Sequence, residues 1–220
     1  MNRFWNWEDG EETRTLTIDG VIASESWYDD EISPQIFRAE LNAGKGPVEL
    51  YINSPGGDCI AASQIYTMLQ EYPGKVTVKI DGLAASAASV IAMAGDEVQM
   101  AAPALMMIHN PWTISMGDAK EMQHTIDMLD EVKESIVNAY QRKSGLSRAK
   151  LRAMMDDETW LNATKAIELR LADSIIGDNA PAAMAFSERA RSLALYNKIN
   201  PAPPISADGR KRKLNLLKLK

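Results

Sequence analysis

Asp81-Gly82-Leu83-Ala84-Ala85-Ser86-Ala87-Ala88-Ser89-Val90-Ile91-Ala92-Met93-Ala94-Gly95 is the stretch around which the 220-residue chain is organised. It follows Val76, Val78 and Ile80, whose alternation with Thr77 and Lys79 predicts a half-buried strand. Asp81-Gly82 then reads as a turn, and the Ala-rich run after it as a helix. A serine is thereby set near the first turn of a helix, where backbone N–H groups lack intrahelical acceptors and the dipole favours negative charge. Ser86 is either a small packing residue or a nucleophile whose developing charge the helix end stabilises. The choice depends on whether the chain also supplies a base and a second oxyanion donor.

Toward the N-terminus, Leu16 and Ile18 place a strand over Thr13 to Ile22, and the Trp-rich, then acidic, residues 5–12 read as a terminal arm. Ser33-Pro34 starts a helix with a capping serine and a proline at the first helical position, and Gly44 ends it. A strand over Val48 to Asn53 runs into the tight loop Ser54-Pro55-Gly56-Gly57-Asp58. The next helix carries Ile60, Ile65, Met68 and Leu69 and stops at Pro73-Gly74. Toward the C-terminus, short buried strands are expected at Val98 to Met100 and Leu105 to Ile108. A long helix begins after Asp118, lasts to about Lys143 with Met122, Ile126, Leu129, Val132, Ile136 and Tyr140 on one face, and is closed by Gly145. Its length suggests projection from the core. Ser147 and Asn162 cap two further helices flanking an extended Thr159-Trp160-Leu161. Strands alternating with helices imply an α/β fold with a mainly parallel sheet and right-handed crossovers.

Composition bounds the function classes. Hydrophobic residues at 45% and charged residues at 25% describe a globular protein. The longest nearly apolar run, Leu83 to Ala94, is too short to span a bilayer, so no membrane role is expected. The first residues carry no apolar stretch of signal length, and the single Cys59 fits a reducing compartment, so a cytoplasmic location is expected. The net charge of −6 divides into a tail of about +5 over residues 201–220 and a body of about −11. An acidic body argues against nucleic acid as the main ligand.

The chain has two histidines. His124 falls on the polar side of the long helix and reads as solvated, whereas His109 ends a buried strand, where a polar ring needs a partner or a purpose. It is either a satisfied core histidine or a base for Ser86. Pro55-Gly56-Gly57 follows a strand and could be a simple turn. In a sheet of this winding, however, ligands bind beyond the carboxyl ends of the strands, and glycines let backbone N–H groups approach them. Gly56, Gly57 and Asp58 are thus candidate substrate-binding residues. No His/Cys spacing suits a metal, and no cofactor is expected.

Tyr51-Ile52-Asn53-Ser54-Pro55-Gly56-Gly57, Gly82-Leu83-Ala84-Ala85-Ser86 and Met107-Ile108-His109-Asn110-Pro111, in that order and spacing, resemble the signature blocks of the Clp protease proteolytic subunit family. The resemblance runs from about Thr13 to Ile176. It implies the Clp/crotonase-like fold and a serine endopeptidase with a Ser-His-Asp triad, acting on polypeptides and assembling into homo-oligomeric rings. By position, Ser86 becomes the nucleophile and His109 the general base, with the N–H groups of Gly57 and Ala87 as oxyanion hole. The family's acid precedes an aromatic-Leu-Ser/Thr-Ala element, here Trp160-Leu161-Asn162-Ala163, which implies Glu158, with Asp157 as the alternative. The long helix corresponds to the family's ring-to-ring contact. The implied organisation is an arm over 1–12, the protease domain over 13–178, a helical extension over 179–199 and a Pro-containing linker with basic tail over 200–220.

The ends depart from the ATPase-coupled members, and an obligatory ATPase unfoldase partner is not expected. In this the chain is similar to Clp-like proteases of tailed phages and prophages, which implies scaffold or capsid proteins as substrates in head maturation. General ATPase-coupled degradation is the alternative within the same chemistry. A non-catalytic scaffold on the same fold is the alternative of another class, because glutamate in place of aspartate could mark a weakened triad.

Overall fold

Leu16 and Ile18, Leu50 and Ile52, Val78 and Ile80, and Val98 and Met100 alternate with polar residues on four segments, and all eight side chains are fully buried. Removing such side chains from water contributes about 1.5–3 kcal/mol each, and the period of two permits it only in strands sharing one buried face. The computed structural model describes residues 3–10, 12–23 and 34–177, all within one compact unit, residues 1–179.

In chain order the elements are β1 (Trp5–Asp9), β2 (Arg14–Ile22), α1 (Pro34–Ala43), β3 (Val48–Gly57), α2 (Cys59–Glu71), β4 (Val76–Ala85), α3 (Ala87–Ala92), β5 (Glu97–Met100) and β6 (Leu105–Ile108). They continue with α4 (Ala119–Ser144), α5 (Arg148–Asp156), β7 (Thr159–Asn162), α6 (Ala163–Glu168) and β8 (Ser174–Ile175). The sheet runs β1-β2-β3-β4-β5-β8, with β6 pairing β4 and β7. The β1–β2 and β6–β7 pairs are antiparallel and the rest parallel, as the alternation of elements predicts.

β4 holds the topology together. Its first half, Thr77–Ile80, pairs with β5, and its last residues, Leu83–Ala85, pair with β6. The strand therefore does not end at Asp81-Gly82, which reads locally as a turn; it passes through and changes partner there. Gly82 has a tertiary reason, because a side chain at that position would collide with that of Asn53. Pro55-Gly56-Gly57 likewise is the last part of β3 rather than a free loop, with register shifts against both neighbours.

The arm expected over residues 1–12 is also tied into the sheet. Trp5–Asp9 forms β1, and Trp5 and Trp7 pack their rings against Phe37 of α1 at 5.6 and 6.3 Å. Aromatic burial thus recruits a segment whose acidic continuation alone suggests solvent. The helical extension at 179–199 and the tail at 200–220 lie outside the described residues.

α4 starts on an Asp118 capping box shared with Glu121 and stops at Gly145 in the left-handed conformation (φ 69°). Its second half buries Ile136, Val137, Ala139 and Tyr140, whereas Met122, Ile126 and Met128 in its first half are exposed. The helix therefore projects from the core, as its length predicts.

Candidate active site

β3, β4 and β6 run parallel, so their carboxyl ends lie at one end of the sheet. Pro55-Gly56-Gly57 closes β3, Ser86 follows β4 and His109 follows β6. β7 runs the other way, which brings the residue before it, Glu158, to the same end.

Ser86 stands between strand and helix with φ 54° and ψ −125°. A left-handed φ in a residue with a Cβ costs on the order of 1–3 kcal/mol and persists where the surroundings enforce it. Here its N–H donates to the carbonyl of Met107 at 2.9 Å, while its own carbonyl accepts from the Ser89 N–H at 3.0 Å and the Ser89 Oγ at 2.5 Å. The Ser86 Oγ is left free to meet the Nε2 of His109 at 2.7 Å. The structure thus brings together the serine and histidine singled out from sequence. Ser89 is buried behind them as a packing residue, with a polar role its spacing did not reveal. His124 is exposed on α4.

The glycines make the close approach possible. Gly56 has φ 96°, and a Cβ there would lie 2.7 Å from both the Ser86 Cβ and the Ala85 carbonyl oxygen. Gly57 has φ 145°, and its Cβ would run into the carbonyl of Ile22. Ser54, fully buried, fixes this corner by donating to the Gly20 carbonyl at 2.6 Å and accepting from the Gly56 N–H at 3.1 Å. Ala87 is the first residue of α3, and the Ser86 side chain does not cap that helix. The Ala87 N–H has no intrahelical acceptor in that position. Asp58 is engaged as the N-cap of α2, accepting from the N–H groups of Ile60 and Ala61 at 2.7 and 2.9 Å. Its carboxylate is therefore committed to the first turn of α2.

The acidic turn divides its work among three residues. Asp156 accepts from the Asn110 Nδ2 at 2.9 Å and the Lys133 Nζ at 2.5 Å, and the lysine beside it holds its carboxyl below the usual range. Asp157 is exposed at the end of α5. Glu158 has φ 46° and accepts from the Trp160 Nε1 at 3.2 Å. Among the described residues no hydrogen bond joins Glu158 or Asp157 to His109. The β6–β7 register, Met107↔Trp160 and Ile108↔Thr159, nevertheless sets Glu158 opposite His109 when continued by one residue.

In front of the pair lies a cleft of about 370 Å³, lined by Val21, Cys59, Met107, Pro111 and Trp112 together with the glycines, Ser86 and His109. Burial, with Asp58 adjacent, pushes the Cys59 thiol up, so it lines the wall as a neutral group. No cluster of metal-binding side chains occurs among the described residues. None of the described helices is long and apolar enough to cross a membrane.

The sequence model of the Clp protease family matches residues 11–179. Among curated proteins, the chain is 31% identical over 168 residues to an ATP-dependent Clp protease proteolytic subunit of Bacteroides fragilis, covering 73% of this chain and 81% of that one. It is 30% identical over 177 residues to proteolytic subunit 2 of Treponema denticola, covering 80% and 84%. With proteolytic subunit 1 of Chlamydia muridarum the identity is 32% over 152 residues, covering 66% and 78%.

Proposed function

The chain belongs to the Clp protease family and is a serine-type endopeptidase of that family, and from this premise we propose that it opens peptide bonds through an acyl-enzyme on Ser86. The observation that carries the proposal is the 2.7 Å contact between Ser86 Oγ and His109 Nε2 at the carboxyl end of a parallel sheet. In that geometry Nε2 takes the hydroxyl proton while Oγ bonds to the scissile carbonyl carbon. The carbonyl electron pair moves onto oxygen, where the N–H groups of Gly57 and Ala87 receive it. Collapse of the tetrahedral species breaks the C–N bond, and His109 returns the proton to the leaving amine. Water then attacks the ester by the same route and releases Ser86.

For Nε2 to act as base, the other ring nitrogen must carry a proton, and an acid that accepts from it fixes this tautomer. We assign that acid to Glu158, supported by the register that sets it opposite His109 and by its left-handed φ at a functional corner. Asp157 is the alternative. The substrate lies extended along the Gly56-Gly57 edge and the chain after His109, held by backbone hydrogen bonds as an added strand. Gly57 offers its backbone N–H, Gly56 contributes an edge free of any side chain while its own N–H stays with the Ser54 Oγ, and Asp58 holds the corner.

A homo-oligomeric ring is the proposed assembly. The exposed apolar series Trp112, Ile114 and Met116, continued by Ile126 and Met128 on α4, supports it. Peptide cleavage itself involves no phosphoryl chemistry, so we propose that short peptides are cut without nucleotide or an ATPase unfoldase. A cytoplasmic location fits the single cysteine, and scaffold or capsid proteins of a phage head are the proposed natural substrates. The testing experiment is hydrolysis of a fluorogenic peptide by the full chain without ATP. Turnover is expected from the wild type and not from Ser86→Ala or His109→Ala; equal turnover by the three proteins would overturn the proposal.

A further inference from the structure

Two residues of α4, Lys133 and Tyr140, reach the two halves of the catalytic pair by separate routes. They are seven residues apart, two helical turns and about 10.5 Å along one face. The Tyr140 hydroxyl lies 2.8 Å from the Ser89 Oγ, and that oxygen lies 2.5 Å from the Ser86 carbonyl. A carbonyl only accepts, so the Ser89 hydroxyl donates to Ser86, and the Tyr140 hydroxyl donates to Ser89. Tyr140 and Ser89 are both buried, and burial pushes the Tyr140 phenol up, which keeps it a donor.

This chain aims more than the serine. The Ser86 carbonyl and the Ala87 N–H belong to one planar trans peptide and point in opposite directions. Anchoring the carbonyl behind the site therefore turns the Ala87 N–H toward the cleft, where an oxyanion would form. On the other side, Lys133 Nζ holds the Asp156 carboxylate at 2.5 Å, and the same oxygen holds the Asn110 Nδ2 at 2.9 Å. Asn110 is the residue after His109. Among the described residues its buried Oδ1 meets no hydrogen-bond donor, and the link to Asp156 is the one side-chain bond that Asn110 makes.

We infer that α4 is the common reference for nucleophile and base: Tyr140 positions the Ser86–Ala87 peptide through Ser89, and Lys133 positions His109 through Asp156 and Asn110. The inference rests on the assignment of Ser86 and His109 given above. Both residues act through others, so neither touches substrate. Because the oxyanion donor matters in the transition state, loss of the Tyr140 hydroxyl falls on kcat and spares KM.

The test uses the full chain with Tyr140→Phe, Ser89→Ala, Lys133→Met and Lys133→Arg. It measures kcat and KM on a peptide, the second-order rate of labelling by a fluorophosphonate, the pH profile and the thermal midpoint. Tyr140→Phe removes one oxygen and keeps the ring's packing. It is expected to lower kcat and labelling roughly ten-fold, a fraction of what deleting an oxyanion donor costs, with KM within about two-fold. Combining it with Ser89→Ala should do no more than Ser89→Ala alone, since the two lie in series. Lys133→Met should lower kcat several-fold and move the acid limb of the pH profile, and Lys133→Arg should restore both. Wild-type kcat and pH profile in Tyr140→Phe and Lys133→Met, with only the thermal midpoint lowered, would overturn the inference while leaving Ser86 as nucleophile. A wild type that does not label would overturn the nucleophile assignment, and this inference with it.

Discussion

Replacing Gly56 by alanine tests whether the close approach of β3 to Ser86, the proposed nucleophile, matters for chemistry. The added methyl would lie 2.7 Å from the Ser86 Cβ and the Ala85 carbonyl oxygen, and 2.9 Å from the Ala87 nitrogen. Carbon atoms rest about 3.5–4.0 Å apart, so roughly 1 Å must be recovered by moving Ser86 and Ala87 away from β3. The left-handed φ of 96° adds about 1–2 kcal/mol of backbone cost, and overpacking typically adds about 1–3 kcal/mol. That is less than the roughly 5–15 kcal/mol by which a domain is stable, so the variant should fold. Catalysis is far less tolerant, because a displacement of about 1 Å costs on the order of 100-fold. Gly56→Ala should therefore keep its circular dichroism spectrum, lower its thermal midpoint and label with a fluorophosphonate about 100-fold more slowly. Labelling within about three-fold of wild type in a folded variant would show that Ser86 does not depend on this close approach, since a shift that large cannot leave the attack geometry intact.

Ser54→Ala should cost about 1–3 kcal/mol in chemical unfolding, because it strips a buried N–H of Gly56 and the carbonyl of Gly20 of their shared partner; an unchanged urea midpoint would contradict this. Glu158→Ala should lower kcat at least ten-fold while Asp157→Ala leaves it near wild type, given the register opposite His109; the reverse order would transfer the acid role to Asp157. Glu134, paired with Arg148 and Arg152, is held down to about 2 from 4.5. A carboxyl lowered in the folded state contributes stability that is complete above its unfolded pKa and is lost as pH falls through the folded one. The stability gap between wild type and Glu134→Gln should therefore be constant above about pH 4.5, begin to close below it and nearly vanish near pH 2. Urea titrations at about pH 7 and pH 3.5 showing an equal gap would sink this reading.

The order of strands and helices was legible because each carries its own period and punctuation: Val76, Val78 and Ile80 alternate, Asp118 caps α4 and Gly145 ends it. His109 was legible as a polar residue ending an apolar strand, and Ser86 as a serine near the first turn of an Ala-rich helix. Asp81-Gly82 and Pro55-Gly56-Gly57 misled because glycine's commonest local cause is a turn. Here the cause is tertiary: Gly82 admits Asn53, and Gly56 admits Ser86, in strands that continue. β1 escaped because its stability comes from Trp5 and Trp7 against Phe37, some thirty residues on. The positioning contacts had no local signal. Ser89 and Tyr140 are 51 residues apart, and Lys133 and Asp156 are 23 apart. Nothing in the spacing of either pair marks it as a contact.

Whether Ser86 is the nucleophile is decided by mass spectrometry of the full chain after reaction with a fluorophosphonate. A single adduct is expected, on the peptide that carries Ser86, formed at a rate that falls when His109 is replaced by alanine. An adduct on any other residue, or on Ser86 at a rate indifferent to His109, would contradict it.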